Sequence, residues 1–216
     1  MVHTIRRREF ALAMVVAAAS GFVDAAGFIA LGGYFVSFIS GNSTTMAARA
    51  AYSDWQGAGR ALGLIGLFFI GVITGSVLSR TRYKRSAVLW PAVGLVTVSA
   101  IASDLGVGTP AILLLAVAMG IVNSTFQRGG EVSVGLTYMT GTLVKAGQRL
   151  VDAFNGGPRW VWLRHLSLWA SLTCGALVGG FAWAHLGSDA LWIAAGMLAV
   201  AATTVSVSRW SRQSPG

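Results

Sequence analysis

Apolar residues in this chain come in long blocks rather than in the one-faced or alternating stripes of a water-soluble fold. Six blocks stand out: Phe10–Leu31, Ala61–Ser79, Ser86–Ser103, Pro110–Phe126, Val161–His185 and Ala190–Ser208. A helix needs about 20 apolar residues to cross the hydrocarbon core of a bilayer, and every block is close to that length. The pattern predicts an all-α integral membrane protein with about six transmembrane helices. The stretch Asp104–Thr109 is short and contains glycine, which predicts a tight turn, and Pro110 is placed to open the next helix.

Two segments depart from the blocks. Gly32–Gly59 and Arg128–Gly157 are long for loops, and they carry the apolar stretches Tyr34–Ile39 and Val132–Met139. Counting each as a full span would move Arg80–Arg85 to the outer side, against the charge distribution described next. They are therefore read as broken or re-entrant helical segments, one after the first helix of each half of the chain. Such backbone is tolerated at membrane depth only where protein shelters it or where it lines a cavity.

Composition supports a membrane location. Of 216 residues, 55% are hydrophobic and 11% charged, where a soluble domain carries about 25% charged residues. A net charge of +9 raises the question of nucleic acid. The basic residues answer it, because they sit between apolar blocks and form no basic domain or face. Nucleic acid is excluded as a partner, and the lipid bilayer takes its place. With the amino terminus in the cytoplasm, fourteen of the 16 lysines and arginines fall on the inner side and only Arg49 and Arg60 on the outer side. That bias predicts that both termini are cytoplasmic. Arg6–Arg8 followed by small apolar residues imitates a signal peptide. The apolar block runs on to Leu31, and a related segment recurs in mid-chain, so a retained first helix is expected.

The two halves of the chain resemble each other. Gly21–Asp24 (GFVD) matches Gly120–Asn123 (GIVN), and Ser40-Gly41 matches Thr140-Gly141. Arg49 and Arg149 each follow eight residues after that glycine. Gly71 and Gly75 match Gly175 and Gly179, and Leu89-Trp90 matches Leu191-Trp192. The offsets drift only from 99 to 104 residues. Residues 1–105 and 106–216 thus read as a 3+3 repeat within one membrane domain. Three spans is an odd number, so the second half must insert upside down. Inverted repeats of this kind build many secondary transporters, with the substrate near the midplane between the repeats.

The segment SGFVDAAGFIALGGYFVSFISGNSTT, with its Gly21–Ala25 opening, paired Gly32-Gly33 and Ser40-Gly41-Asn42, resembles the YoaK-type bacterial membrane proteins. The resemblance implies a polytopic protein of the bacterial cytoplasmic (inner) membrane. It supplies no substrate.

Candidate chemistry is sparse. Asp24 lies inside the first apolar block. A carboxylate there costs roughly 2.5–3.5 kcal/mol on insertion scales, so it should face protein or water. It reads as a proton or cation site or a contact to a cationic substrate, in preference to a structural carboxylate near the helix end. Asn123 is its counterpart in the second half and cannot titrate. Ser40, Gly41 and Asn42 read as a helix start after a break, with Ser40 or Asn42 as the cap. Thr140, Gly141 and Thr142 suggest a second such start. Two helix starts aimed at the centre would hold a polar or anionic group, or they are ordinary capped surface helices. Gln127 and Lys145 would line the second break. Arg49 and Arg149 would pair with Asp24 or gate access, or snorkel to the surface. Cys174 reads as a buried packing thiol. The pairs Gly71/Gly75 and Gly175/Gly179 read as close-packing faces. Internal packing is their simpler use, and a homo-oligomer interface the other. Trp55, Trp160 and Trp210 lie near span ends, as interfacial anchors do.

No phosphate loop, metal-ligand cluster or nucleophile–base pair is legible, so neither an enzyme nor a cofactor or metal is expected. The expected function is a small-solute carrier, with or without coupling to protons or ions, acting on a small molecule or ion that the sequence does not name. A channel of the same architecture and a non-transporting scaffold or partner subunit are the alternatives.

Overall fold

The computed structural model describes residues 7–80, 84–128, 131–132 and 139–210. The helices are α1 (Arg7–Ala30), α2 (Ile39–Ala51), α3 (Trp55–Ser79), α4 (Lys84–Asp104), α5 (Thr109–Asn123), α6 (Met139–Phe154), α7 (Val161–Leu186) and α8 (Ala190–Trp210). A short 3-10 turn, Gly187–Asp189, joins α7 to α8. Gln127–Arg128 and Glu131–Val132 form a short antiparallel pair.

Each expected apolar block is a helix. The main difference is at α3, which begins at Trp55 rather than Ala61. Asp54 sets that start, because its Oδ1 accepts the Gly57 N–H at 2.9 Å. Helix α5 opens with its proline as expected, after Gly106 and Gly108 at φ of 79° and 67°. Among the described residues, four stretches are long and apolar enough to cross a bilayer: Glu9–Ala30, Trp55–Ser79, Arg85–Asp104 and Val161–Val207. The last is 47 residues long and contains both α7 and α8. Helix α5 is apolar but shorter, at 15 residues.

Glycines determine how the long helices meet. Gly21 of α1 lies against the Leu172 carbonyl of α7, and Gly175 and Gly179 of α7 lie against the Ala18 and Phe22 carbonyls. A Cβ at any of these glycines would run into backbone. Along the series Ala18–Gly175, Phe22–Gly179 and Ile29–Gly180 the position numbers rise together, so α1 and α7 run parallel. On the other side of the bundle, Gly120 of α5 meets the Phe68 carbonyl of α3, while Gly71 and Gly75 meet the Val117 and Ile121 carbonyls. Helices α3 and α5 therefore also run parallel. Lipid offers no hydrophobic drive for helix association, so such close backbone approach supplies the packing energy.

Helices α4 and α8 cross antiparallel. The Trp90 indole donates to Ser206 Oγ at 3.4 Å, and the Trp192 indole donates to Asp104 Oδ2 at 3.0 Å. The Ser99 hydroxyl donates to the Ala111 carbonyl at 2.7 Å and closes the α4–α5 hairpin. Taken together, α1, α4 and α7 run one way and α3, α5 and α8 the other. The start of α1 and the end of α8 thus lie on the same side. On that side Glu9 and Arg85 form an ion pair at 3.1 Å.

Phe22, Leu89, Leu115, Met119, Ile121, Leu191 and Leu198 fill the centre and are fully buried. Apolar side chains also cover the outside, among them Ile70, Ile73 and Val77 on α3 and Leu177, Val178 and Phe181 on α7. Cys174 is exposed, which corrects the expectation of a buried thiol. Gly175 is the residue that faces α1, and this turns its neighbour Cys174 outward. The short helices sit on the periphery, α2 against α3 and α6 against α7.

Candidate functional site

After α1 the chain turns back on itself. Gly32 and Gly33, at φ of 65° and 103°, reverse its direction. Val36 is then fully buried beside α1, against Gly27. Asp24 receives this returning segment six residues before the end of α1, a depth of about 9 Å. Its Oδ1 accepts the Val36 N–H at 2.9 Å and the Ser37 N–H at 2.7 Å. Asn42, fully buried, clamps the residue before them. Its Oδ1 accepts the Phe35 N–H at 2.9 Å, and its Nδ2 donates to the Phe35 carbonyl at 2.6 Å. The Tyr34 hydroxyl donates to the Gly57 carbonyl at 3.2 Å and ties the segment to α3. Asp24 and Asn42, both expected at the site, are thus brought to one short stretch of backbone.

The local cap differs from expectation. Helix α2 starts after Phe38, with no side-chain cap. Ser40 and Asn42 lie within its first turn; Ser40 is exposed, and Asn42 points back at Phe35. Gly41 makes room for two aromatic rings, since a Cβ there would meet Phe35 at 2.8 Å and would also meet Phe38. The Asp24 carboxylate stands just ahead of α2, where the helix dipole favours negative charge. The amino end of α2 therefore carries the protein's own anion, which argues against an anionic ligand there.

The second half places its candidates elsewhere. Asn123 is the last residue of α5, and its Nδ2 donates to the Met119 carbonyl at 2.9 Å. Next to it the buried Ser124 donates to the Val72 carbonyl of α3 at 3.3 Å. Thr140 is exposed, and Gly141 and Thr142 are half-buried in the first turn of α6. The Gln127 side chain lies outside the described residues, as does the stretch 133–138 of the expected second break. Asp24 lies toward the far end of α1 and Asn123 at the far end of the oppositely running α5. The candidates therefore form two groups, one toward each end of the bundle.

Neither arginine pairs with Asp24. Arg49 pairs with Asp54 at 2.9 Å and Arg149 with Asp152 at 2.9 Å, both exposed. Lys145 is exposed on α6. The Gly57 N–H, with Arg49 beside it, holds the Asp54 carboxyl below the ordinary carboxylate value of 3.8.

Two features escaped sequence reasoning. Arg85 reaches Glu9 and also lies 5.1 Å above the Phe126 ring, so it joins the start of α1 to the chain just after α5. His165 is buried in α7. The signal for it was present, because Val161, His165, Leu168, Leu172, Gly175 and Gly179 form one buried stripe at helical spacing.

Long apolar helices joined through glycine and covered by apolar side chains define an integral helical membrane protein. The chain matches the family model described as "Protein of unknown function (DUF1275)" over residues 12–204, and it belongs to that family. It is similar to the UPF0700 transmembrane protein RA0705 of Rhizobium meliloti (strain 1021), 31% identical over 211 residues, which cover 95% of this chain and 91% of that protein. No solved structure matches it.

Proposed function

We propose that the protein is a small-solute carrier of the bacterial inner membrane. In this reading it crosses the bilayer six times, with both termini cytoplasmic and residues 1–105 and 106–216 as inverted halves. The observation that carries the proposal is the way the contacts exchange under the sequence repeat. Shifting α1 by 99 residues and α3 by 104 gives α5 and α7. Under those shifts Ala18–Gly175 becomes Val117–Gly71, Phe22–Gly179 becomes Ile121–Gly75, and Leu172–Gly21 becomes Phe68–Gly120. A shift of 102 turns Trp192–Asp104 into Trp90–Ser206. Equivalent helices run in opposite directions, as inversion requires.

Two interlocked inverted halves suit alternating access, in which one half rocks against the other. Asp24 and Asn42 make the outer half-site, and Asn123, Thr142 and their neighbours the inner one. Asp24 gives the outer half-site a carboxylate, where a coupling cation would bind. Fully buried side chains fill the middle of the bundle, which favours a carrier over an open channel.

Two experiments test the reading. Topology comes from labelling Tyr83→Cys and Leu105→Cys in a Cys174→Ala background. Labelling of position 83 from inside the cell and of position 105 from outside is expected, and the reverse would sink the orientation. Transport comes from proteoliposome flux, which should saturate with solute concentration and fall sharply in Asp24→Asn. Flux that grows linearly with concentration would replace the carrier with a channel.

A further inference from the structure

Helix α6 has two exposed sides of opposite character. Ala146 is buried where α6 packs against α7. To one side of it Leu143, Leu150 and Phe154 recur at helical spacing, with Val144 and Val151 beside them. Phe154 is 81% exposed and Val151 58%, so the rest of the chain does not cover this side. The other side carries Lys145, Gln148, Arg149 and Asp152, all exposed. Arg149 pairs with Asp152, and Lys145 leaves this side net positive. In the connection to α7, Arg159 adds a second exposed cation, next to Trp160, which is 72% exposed. Because α7 runs parallel to α1, this connection lies at the end of the bundle shared by the two termini.

The matching short helix shows that packing does not require these residues. An offset of 100 residues aligns Arg49 with Arg149. At that offset Leu143, Val144, Val151 and Phe154 correspond to Ser43, Thr44, Ala51 and Asp54, while Lys145 and Arg159 correspond to Thr45 and Gly59. Helix α2 thus packs against α3 with small and polar residues at positions where α6 carries large apolar and basic ones. The difference has the form of an interfacial helix, with apolar residues on one side, basic residues on the other and a tryptophan at its edge. Charge complementarity then names the partner, since lysine and arginine at a membrane surface attract anionic headgroups.

We infer that α6 lies in the membrane interface and binds anionic phospholipid, with Leu143, Val144, Val151 and Phe154 in the acyl boundary and Lys145 and Arg159 on the lipid phosphates. The first turn of α6 holds Thr140, Gly141 and Thr142, so the lipid surface also positions the second group of candidate residues. The inference goes beyond transport and does not depend on it. Only the choice of leaflet rests on the proposed orientation, which makes it the cytoplasmic one.

The headgroup test uses the detergent-purified full chain in mixed micelles with phosphatidylglycerol or phosphatidylcholine. The melting temperature should rise saturably with phosphatidylglycerol and much less with phosphatidylcholine. The half-saturating lipid fraction should increase about fivefold in Lys145→Gln and in Arg159→Gln. It should stay unchanged in Arg60→Gln, which removes an exposed cation at the opposite end of the bundle. Equal responses to the two lipids would overturn the headgroup assignment, as would an Arg60→Gln variant that responds like the α6 variants. Placement comes from spin labels at Val151→Cys and Gln148→Cys in a Cys174→Ala background, in proteoliposomes. At position 151 collisions with oxygen should exceed those with a water-soluble nickel chelate, and at position 148 the reverse. Dominant nickel collisions at 151 would put the apolar side in water, and shielding of 151 from both reagents would put a second copy of the chain there. Either result removes the interfacial helix. Reversed labelling of positions 83 and 105 would overturn the cytoplasmic leaflet alone.

Discussion

Because both loop N–H bonds to Asp24 fall on Oδ1, asparagine at this position keeps an acceptor and removes only the charge. Alanine removes both. A buried donor left without a partner costs about 1–3 kcal/mol, so Asp24→Ala should lower thermal stability well below Asp24→Asn. Melting curves of the two variants give the structural share of the residue, and the flux of Asp24→Asn gives the share that needs its charge. If both variants melt alike, the loop does not depend on this carboxylate. Asp54, outside the spans, gives a pH-dependent counterpart. Its carboxyl is held low by the Gly57 N–H and Arg49. Stability linked to a depressed pKa is complete above the unfolded value and is lost as pH falls through the folded one. Asp54→Asn should therefore lose less melting temperature than wild type between about pH 5 and pH 3. Equal slopes would show that this cap contributes nothing.

At the scale of the element, the glycines divide by what their missing Cβ would meet. Gly175 and Gly71 face backbone of the partner helix, and Gly63 on α3 faces open space. Gly175→Val and Gly71→Val should each prevent accumulation of folded protein, to a similar degree, because they block equivalent crossings. Gly63→Ala should raise stability by about 0.4–1 kcal/mol, through the smaller entropy of the unfolded chain. Yield of folded protein by size-exclusion chromatography and melts in detergent would show both, and a tolerated Gly175→Val would remove the crossing from the argument. Much of this level was legible in the sequence. Apolar block length located the helices, and the glycine spacing found the crossing residues because small residues in lipid have little other use. The phase of a helix was harder to read. Cys174 next to Gly175 had to point outward, yet an apolar run around it looks alike from either side. The cap of α2 was misread because Asp24, from another helix, took the role that Ser40 or Asn42 would fill locally. Arg49 and Arg149 found acids five and three residues away, a local solution that the wide spacing to Asp24 concealed. His165 was overlooked because its helical spacing with Leu168 and Leu172 stands out only once the buried stripe of α7 is separated from the rest of an apolar run.

For the whole molecule, α4 and α8 cross antiparallel with a polar contact toward each end, and in the proposed inverted arrangement they would sit at its two-fold centre. Rocking of one half against the other would have to open these ends in turn. At the end shared by the two termini, the Ser86 and Ser206 hydroxyl oxygens are 3.1 Å apart, close enough for cysteines there to form a disulfide. The double variant Ser86→Cys and Ser206→Cys, in a Cys174→Ala background, should therefore cross-link on mild oxidation. With that end locked, proteoliposome flux should stop and return on reduction, while the melting temperature rises with the cross-link. The singly substituted proteins control for oxidation elsewhere. Undiminished flux in the fully cross-linked protein would mean that α4 and α8 stay together throughout the cycle. Access would then have to alternate around the short helices α2 and α6, each of which leans on a single long helix, and the symmetry of the α4–α8 crossing would be a product of the repeat with no part in transport.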